Sequence, residues 1–368
     1  MLPVTLWAAG WDTDYKQIEK SIRQVQFPDK TFSILKYGAS EKATAAKNQK
    51  AINAAIAACS KAGGGKVVVP AGTYNTGALR LKSHVNLVVE KGATLLFAFD
   101  RDLYPTVLTR WEGIDVYNYS PCIYAYGETD VAITGEGTID GQHVFDPLGE
   151  ENMRGPHTII LADCRNVRME GFSVRRAANY AFLCYALDSA AFKGLHIAEG
   201  WDGIHIRGGR NVEISDCRLE TGDDAIAGGY WENMLIRDCD INSSCNGVRM
   251  IMPSDGLEIK DCRFHGPGVY PHRTSGIDKR KNMLFAISLE PGGWGAAPGD
   301  LKRVYLHDLE MDCLSAPVSI SIRKECHAHD LKLENICATR MLGTMSPTVC
   351  WNDTGFDSIT IREVSISR

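Results

Sequence analysis

The sequence predicts an all-β chain wound into a parallel β-helix, with one α-helix covering its N-terminal end. Three observations lead to this fold class. Strands of about four or five residues alternate with glycine-bearing turns along most of the chain. The chain aligns with itself at intervals of 22 to 23 residues, and an alanine-rich helical segment precedes the strands.

The repeat is clearest in three segments that begin at Asn211, Asn233 and Gly256 and read NVEISDCRL, NMLIRDCDI and GLEIKDCRF. In each, apolar residues alternate with polar ones, as in a strand with one buried face. One unit cannot bury its apolar face alone, so successive units must stack. A propeller would need longer units, and a helical repeat would not be β-branched and alternating. Weaker copies begin near Asn166, Arg303, Leu331 and Ser358.

The N-terminal part divides into a lead segment, residues 1–30, and the start of a single β-helix domain that spans residues 31–368. In the lead segment Tyr15–Val25 has helical periodicity, which Pro28 ends. The segment FSILKYGAS then predicts a short strand followed by a glycine-bearing turn.

The capping helix is predicted over Lys47–Ala62, where apolar residues recur at helical spacing until Gly63–Gly65 stops them. It covers the first turn of the solenoid, whose core edge would otherwise be exposed. Strands KVVVP and ALRLK follow the helix.

Residues 264–300 interrupt the repeat of strands and turns. They contain two segments rich in Gly, Pro, Arg and aromatics, which we interpret as loops projecting from two turns. A disordered insert is the alternative.

The composition is that of an ordinary soluble globular protein, with 44% hydrophobic and 23% charged residues and a formal net charge of −5. A length of 368 residues is long for one domain unless that domain is a solenoid. No basic run interleaved with aromatics is present, so we expect no nucleic-acid partner. No apolar stretch reaches transmembrane length, so we expect no membrane partner. The oligomeric state stays open.

The twelve cysteines contain no CxxC pair. Cys164, Cys217, Cys239 and Cys262 each follow an Asp in the same repeat context. We therefore predict that they occupy equivalent inward positions and pack as small apolar side chains. Some disulfides are the alternative, so cysteine usage leaves the redox compartment undetermined.

Three carboxylates stand out in the segment GWDGIHIRGGRNVEISDCRLETGDDAIA. Asp202 lies in the WDG motif, and Asp223 and Asp224 lie in TGDD, one repeat further on. Stacked turns would bring all three to one face, where one carboxyl can protonate a leaving oxygen and the others can activate water. Asp-Gly and Gly-Asp pairs are also common turn residues, which is the alternative interpretation of either motif by itself.

The chain resembles the family 28 glycoside hydrolases, the polygalacturonase-like group of right-handed, pectin-lyase-like parallel β-helices. The likeness is strongest over roughly residues 30–142, in phrases such as AINAAIAACSKAGGGKVVVPAGTYNTGALRLKSHVNLVVEKGATLLF and ITGEGTIDGQ. The family's Asn-Thr-Asp motif corresponds to Gly200–Asp202, and its paired aspartates correspond to Asp223 and Asp224. The resemblance implies hydrolysis with inversion, in which Asp223 is the general acid and Asp202 and Asp224 deprotonate the attacking water.

The resemblance also implies a carbohydrate substrate, no cofactor and no metal. It implies a secreted or periplasmic location, although the first ten residues, MLPVTLWAAG, lack the basic region of a signal peptide. Mutual repulsion among three close carboxylates should raise one pKa and leave one group protonated as the acid. An inverting site further predicts carboxyl separations of roughly 6.5–9.5 Å, which leave room for water.

Departures from the family pattern concern substrate recognition. The histidine of the family's Gly-His-Gly motif is replaced by Asn246, which can still hydrogen-bond a hydroxyl. The Arg-Ile-Lys motif has no clean counterpart; Arg249, or Arg273 and Arg280 in the loops, are the substitutes for binding a carboxylate. His205 stands where relatives often carry an Asp, and we expect it to act beside Asp202 if it faces outward. These differences predict a pectin-related or other acidic glycan other than simple polygalacturonate, with a neutral sugar linkage as the alternative.

Trp231 and Trp294 are the tryptophans that we expect to stack on sugar rings, since one follows the carboxylate pair and the other lies in a projecting loop. Trp201 and Tyr230 are further candidates for stacking on sugar rings, and core packing is the alternative for each.

Two other functions stay open. In a Ca²⁺-dependent polysaccharide lyase Asp223 and Asp224 would be metal ligands, and a carbohydrate-binding solenoid would have kept the scaffold without turnover.

Overall fold

The computed structural model describes residue 20 and residues 25–111, 114–143, 155–272, 279–293, 297, 299–322, 326–343, 350–351 and 359–367. The predicted lead helix Tyr15–Val25 lies almost entirely outside these ranges.

The described chain is dominated by short strands separated by turns. The first fourteen are β1 (Thr31–Ser33), β2 (Gly65–Val69), β3 (Gly72–Thr76), β4 (Leu79–Arg80), β5 (Val85–Val89), β6 (Ala93–Phe97), β7 (Thr106–Trp111), β8 (Ile114–Tyr119), β9 (Ile123–Tyr126), β10 (Thr129–Thr134), β11 (Thr138–Asp140), β12 (Ile159–Ala162), β13 (Arg165–Glu170) and β14 (Ser173–Arg175). The others are β15 (Phe182–Lys193), β16 (His196–Ala198), β17 (Ile204–Ser215), β18 (Arg218–Thr221), β19 (Ile226–Arg237), β20 (Asp240–Ser243), β21 (Asn246–Met250), β22 (Ser254–Lys260), β23 (Arg263–His265), β24 (Phe285–Leu289), β25 (Gly299–Asp312), β26 (Ala316–Ile320), β27 (Cys326–Thr339), β28 (Cys350–Trp351) and β29 (Ile359–Ile366).

Twenty-seven of these strands pair in parallel within one continuous sheet that wraps into three faces. The face that carries the site, here called the front face, contains β4, β9, β12, β21, β24, β26, β28 and the opening parts of β15, β17 and β19. The second face runs from β1 and β2 through β5, β10, β13 and β22, and the third from β3 and β6 through β11, β14, β16, β18, β20 and β23. Long strands such as β17 pass from the front face to the second. The predicted parallel β-helix is therefore confirmed.

The core lies inside this wrap and is built by equivalent residues of successive turns. Ile204 stacks on Ile226 and Ile226 stacks on Val248, and all three are fully buried. Cys217 and Cys239 occupy equivalent buried positions one turn apart. The cysteines whose side chains the structure describes are free thiols, which confirms inward packing for the repeat-borne set Cys164, Cys217, Cys239 and Cys262.

The capping helix α1 spans Ala45–Lys61, within two residues of the predicted bounds. The Thr44 hydroxyl accepts a hydrogen bond from the Lys47 backbone N–H at its N-terminus. Its buried side includes Ile52, Ile56 and Cys59, which pack into the same core as the first strands. The helix therefore covers the apolar end of the solenoid. Among the described residues no helix is long and apolar enough to cross a membrane.

Three local features differ from the sequence prediction. Ile34–Tyr37 forms a 3-10 helix directly after β1, because Gly38, at φ 97°, accommodates the left-handed turn that ends it. The segment between the predicted strands KVVVP and ALRLK contains strand β3, in which Thr73 and Asn75 are exposed whereas Tyr74 and Thr76 are buried. β7 and β8 form an antiparallel hairpin that stands apart from the large sheet, and the repeat period contains no signal for it.

The segment 264–300, which was predicted to form projecting loops, is described in part. After β23 the described residues 266–272 and 279–284 contain no strand, and neither do 290–293. Strand β24 between them returns the chain to the front face beside β21. The loops thus leave the solenoid on the side that carries the carboxylates.

Candidate active site

Asp202, Asp224 and Asn246 form a ladder on three consecutive turns, each at the entrance to a front-face strand. The backbone N–H of Gly203 donates to the carbonyl of Asp224 (3.0 Å), and that of Ala225 donates to the carbonyl of Asn246 (2.9 Å). These bonds extend the parallel register of β17, β19 and β21, so the three side chains stack directly. The spacing of 22 residues between successive members is therefore one full turn of the solenoid.

Asp223 completes the predicted constellation from the position just before Asp224. Its carbonyl accepts hydrogen bonds from the hydroxyls of Thr221 and Ser243 (both 2.7 Å), which hold the turn. Carboxylate oxygens of Asp202, Asp223 and Asp224 all lie within 4.8 Å of one another. Asp202 and Asp224 are buried, whereas the side chain of Asp223 is 16% exposed. Of the three carboxyls, Asp223 is thus the most accessible.

The closest carboxylate oxygens lie within 4.8 Å of one another. This distance is shorter than the carboxyl separation of roughly 6.5–9.5 Å predicted for an inverting pair. Neighbouring turns of a parallel sheet lie about 4.8 Å apart, so in-register side chains approach to about that distance. The spacing of the carboxylates in this site therefore follows from the register of the scaffold.

His205 lies on the same face as Asp202, and its side chain is almost fully buried. Its Nδ1 is 2.7 Å from Oδ2 of Asp202, and its Nε2 accepts a hydrogen bond from Nε of Arg207 (3.2 Å). A ring nitrogen that accepts from a guanidinium carries no proton, so the imidazole is neutral and donates through Nδ1 to Asp202. The ring stacks on Tyr180, with centroids 5.0 Å apart and planes 1° from parallel. Asp202 is thereby held in one orientation.

Asp224 is held from the opposite side by Asn246. Both the backbone N–H (3.1 Å) and the side-chain amide (2.7 Å) of Asn246 donate to Oδ1 of Asp224. Nη1 of Arg249 lies 3.7 Å from Oδ2, and Nη2 lies 3.7 Å from Oε2 of Glu290. The pKa of Asp224 is raised to about 7, mainly by burial and then by the charges of Asp223 and Asp202, while Arg249 and Asn246 oppose the shift. One proton therefore resides in the cluster over the acidic range.

The raised pKa belongs to Asp224, although the resemblance implies Asp223 as the acid. Carboxyls this close hold a proton in common, so the proton on Asp224 is available to its neighbour. Exposure favours Asp223 as the group that meets a leaving oxygen. The carboxyl with the raised pKa and the most accessible carboxyl are therefore different members of the cluster.

His272 is a site residue that the sequence reasoning missed. It lies in the first projecting loop, 11% exposed at its side chain, with Nε2 3.5 Å from Oδ2 of Asp223. Its backbone N–H donates to the carbonyl of Arg280 (2.8 Å), whose own Nε donates to the carbonyl of Ser244 (3.2 Å). The loop thus brings an imidazole to the carboxylates, although the family's motif histidine is absent. The loop has no repeat register, so no spacing in the sequence could have indicated this contact.

The prediction for Trp231 is wrong. Its side chain is 1% exposed and lies in the core, with Nε1 donating to the carbonyl of Ile206 (2.9 Å). The register places it beside Gly209 of the preceding turn. Trp201 is also buried and donates to the carbonyl of Ala178. Arg273 and Trp294 lie outside the described residues, so their roles stay predictions.

The front face changes character on either side of the carboxylates. On the N-terminal side its outward residues form a buried apolar cluster composed of Ile160, Ala162, Tyr180, Leu183, Tyr185 and Trp201. On the C-terminal side the outward positions are polar: Arg249 is followed in register by Ser288, whose hydroxyl donates to Oε1 of Glu290 (2.6 Å). The carboxylates therefore lie at the boundary between the apolar and the polar part of the front face.

Within the described ranges, two overlapping sets of side chains have the proximity needed to hold a metal ion. One is the all-oxygen group Asp202, Asp223 and Asp224, and the other is Asp223, Cys245 and His272, with ligand atoms within 4.8 Å of one another in each set. The first set also suits water held between carboxylates. The second combines oxygen, sulfur and nitrogen.

Comparisons with known proteins agree with the predicted relationship. The family described as "Right handed beta helix region" matches residues 157–281. A probable polygalacturonase from Vitis vinifera is 28% identical over 297 residues, covering 72% of this chain and 57% of its own length. An exo-poly-alpha-D-galacturonosidase from Dickeya chrysanthemi is 23% identical over 252 residues, covering 54% of this chain and 41% of its own length. A solved exopolygalacturonase from Thermotoga maritima superposes with a TM-score of 0.62 at 19% identity and covers 96% of each chain.

These matches confirm the resemblance to the polygalacturonases and the right-handed parallel β-helix. The structural likeness, at 19% identity, concerns the fold. The chain spans about half the length of the curated relatives that it matches, 57% and 41% for the two named.

Proposed function

We propose that this protein is a glycoside hydrolase that cleaves a glycosidic bond in a pectin-related glycan by acid–base catalysis. The observation that carries the proposal is the cluster of Asp202, Asp223 and Asp224 at the entrance to the front face. Such a cluster supplies both a proton for the leaving oxygen and carboxylates for the attacking water. The similarity to polygalacturonases supports the same reaction class.

In this mechanism Asp223 protonates the glycosidic oxygen, because it is the carboxyl that is partly exposed. Asp202 and Asp224, stacked in register, hold the water and take its proton. The neutral His205 orients Asp202, and Asn246 orients Asp224. We propose inversion at the anomeric carbon, and the stereochemistry of the first product, followed by NMR, tests it directly.

The substrate is proposed to be a pectic or other acidic plant glycan. Arg249 lies at the polar side of the carboxylates and is 24% exposed, so a substrate carboxylate can reach its guanidinium. We propose that Asn246 acts through Asp224, because its side-chain oxygen is fully buried and its side-chain amide donates to Oδ1 of Asp224. Since polysaccharides do not cross the cell membrane, we propose that the protein acts after secretion or in the periplasm.

The test is the release of reducing sugar from a panel of pectic and other plant polysaccharides. Wild type and Asp223→Asn are compared with and without a calcium chelator. We expect release that survives chelation and falls by about 10²- to 10⁴-fold in the variant, the usual contribution of a general acid. Asp261→Asn, a change of the same kind in a distant surface turn, is the matched control.

Other outcomes identify other functions. Release that needs Ca²⁺ and produces an unsaturated, ultraviolet-absorbing product would indicate a lyase. Binding of a glycan without release from any member of the panel would contradict the hydrolase and leave a carbohydrate-binding solenoid.

A further inference from the structure

Three side chains of different chemistry meet beside the carboxylate cluster: Asp223, Cys245 and His272. Asp223 precedes β19, Cys245 precedes β21, and His272 belongs to the loop after β23. A carboxylate oxygen, Sγ and an imidazole nitrogen from these residues lie within 4.8 Å of one another. Cys245 is 8% exposed, and the side chains of His272 and Asp223 are 11% and 16% exposed. All three groups are thus largely shielded from bulk water.

The donor set differs from that of the catalytic carboxylates. Sulfur, nitrogen and oxygen together are the ligands that Zn²⁺ and related ions prefer, whereas Ca²⁺ takes six to eight oxygens. Zn²⁺ bonds of about 2.0–2.3 Å in a tetrahedron place ligand atoms about 3.5 Å apart. His272 Nε2 and Asp223 Oδ2 are already 3.5 Å apart. Small side-chain rotations would bring Cys245 Sγ to the same spacing.

We propose that Asp223, Cys245 and His272 form a binding site for a thiophilic divalent cation of the Zn²⁺ type, and that its occupation stops hydrolysis. The bound ion is coordinated by the carboxylate of Asp223, which faces the leaving oxygen. Asp223 can then no longer carry a proton to that oxygen. The second half of this proposal rests on the proposed function, and the first half does not. The site would couple the activity of the protein to the concentration of available zinc.

The binding test uses Co²⁺ as the probe on the full chain. Co²⁺ bound to a thiolate gives a charge-transfer band in the near ultraviolet, which reports Cys245 ligation whether or not any glycan is cleaved. We expect the band in wild type, its displacement by Zn²⁺, and its loss in Cys245→Ser. In His272→Gln we expect Zn²⁺ binding to weaken by more than about 100-fold, since loss of a direct ligand exceeds the effect of losing an outer-shell partner.

The matched control is Cys337→Ser, which removes an exposed thiol elsewhere on the solenoid and should leave the band unchanged. Circular dichroism checks that each variant is folded. A missing band in folded wild type, or a band that persists in Cys245→Ser, would overturn the site.

Inhibition is measured separately, as reducing-sugar release with added Zn²⁺ relative to each protein's own rate without metal. We expect inhibition of wild type that a chelator reverses, and resistance to Zn²⁺ in Cys245→Ser and His272→Gln. Zn²⁺ that binds without slowing hydrolysis would overturn the inhibitory role. Absence of hydrolysis in wild type alongside an intact Co²⁺ band would contradict the proposed function and leave the metal site standing.

Discussion

Nδ1 of His205 lies 2.7 Å from Oδ2 of Asp202, and both side chains are almost fully buried. Because Arg207 donates to the other ring nitrogen, the imidazole is a neutral donor to the carboxylate. His205→Phe keeps an aromatic ring against Tyr180 but removes that donor. We expect it to lower the free energy of unfolding by about 1–3 kcal/mol, the cost of leaving a buried acceptor unsatisfied.

Urea denaturation of His205→Phe, in the wild-type and Asp202→Asn backgrounds, checks this prediction. The double-mutant cycle should show a smaller cost for His205→Phe when Asp202 is already neutral. Equal costs in both backgrounds would mean that the two side chains are not coupled.

The cluster should lose activity as the pH rises through about 7. Asp224 has its pKa raised to about that value by burial and by Asp223 and Asp202. The reaction needs one proton in the cluster, so kcat/KM should fall on the alkaline side of this pKa. The pH profile of reducing-sugar release measures it. A rate that rises through pH 7 would instead mean that Asp224 must be ionised and that the acid lies elsewhere.

The same pKa predicts how stability changes with pH. A carboxyl with a pKa of about 7 when folded and about 3.9 when unfolded binds more protons in the folded state between these values. Its contribution to stability is therefore full below about pH 4 and is lost as the pH rises towards 7. Relative to Asp224→Asn, wild type should lose up to about 4 kcal/mol over this range, which is three pKa units at about 1.4 kcal/mol each.

Denaturation of both proteins at several pH values tests the prediction, with Asp261→Asn as the control because that side chain is half exposed in a turn. A difference between wild type and Asp224→Asn that does not change with pH would show that Asp224 ionises normally in the folded protein.

Arg249 should affect the KM of acidic substrates more than that of neutral ones. It lies 3.7 Å from both Asp224 and Glu290 and is partly exposed. If it binds a uronate, Arg249→Met should raise KM on the acidic glycan by about 10- to 100-fold, since hydrogen bonds to charged groups contribute about 1.5–3 kcal/mol. On the carboxyl-reduced glycan the effect should be no more than about threefold.

Arg280→Met is the matched comparison, because Arg280 lies in the loop beside His272. A larger effect of Arg280→Met would assign the carboxylate to the loop. Equal effects of Arg249→Met on both glycans would indicate a neutral sugar at this position.

Gly228 should be irreplaceable within the front face. It has φ 129°, and a Cβ there would lie 1.8 Å from the carbonyl oxygen of Ile206 on the preceding turn. Gly38 also has a positive φ of 97°, but no atom lies within 4 Å of its Cβ position. Both alanine variants have backbone strain, so Gly228→Ala should be about 1–3 kcal/mol more destabilising than Gly38→Ala, owing to the added overlap. Thermal denaturation compares them, and equal losses would contradict close stacking at this turn.

The repeat made much of the fold and part of the site predictable. One period of 22 residues corresponds to one turn, so Asp202, Asp224 and Asn246 had to stack once the parallel β-helix was recognised. Cys217 and Cys239 became stacked core residues for the same reason. The helix α1 was predictable because its signals, apolar residues at helical spacing and the glycines that stop them, are local in sequence.

Other features depended on contacts between parts of the chain that share no repeat. His272 reaches Asp223 through a loop without register, and the hairpin of β7 and β8 pairs only with itself. Trp231 lies in the core, where its indole N–H donates to the carbonyl of Ile206 on the preceding turn.

The sequence by itself determined the scaffold and the order of carboxylates along it, because a solenoid converts a sequence period into a spatial register. The tertiary structure decided how close those carboxylates lie, which of them is most buried and which loop side chains join them. Those properties depend on the spacing between turns and on contacts between residues that are far apart in the sequence. The repeat pattern specifies neither of them.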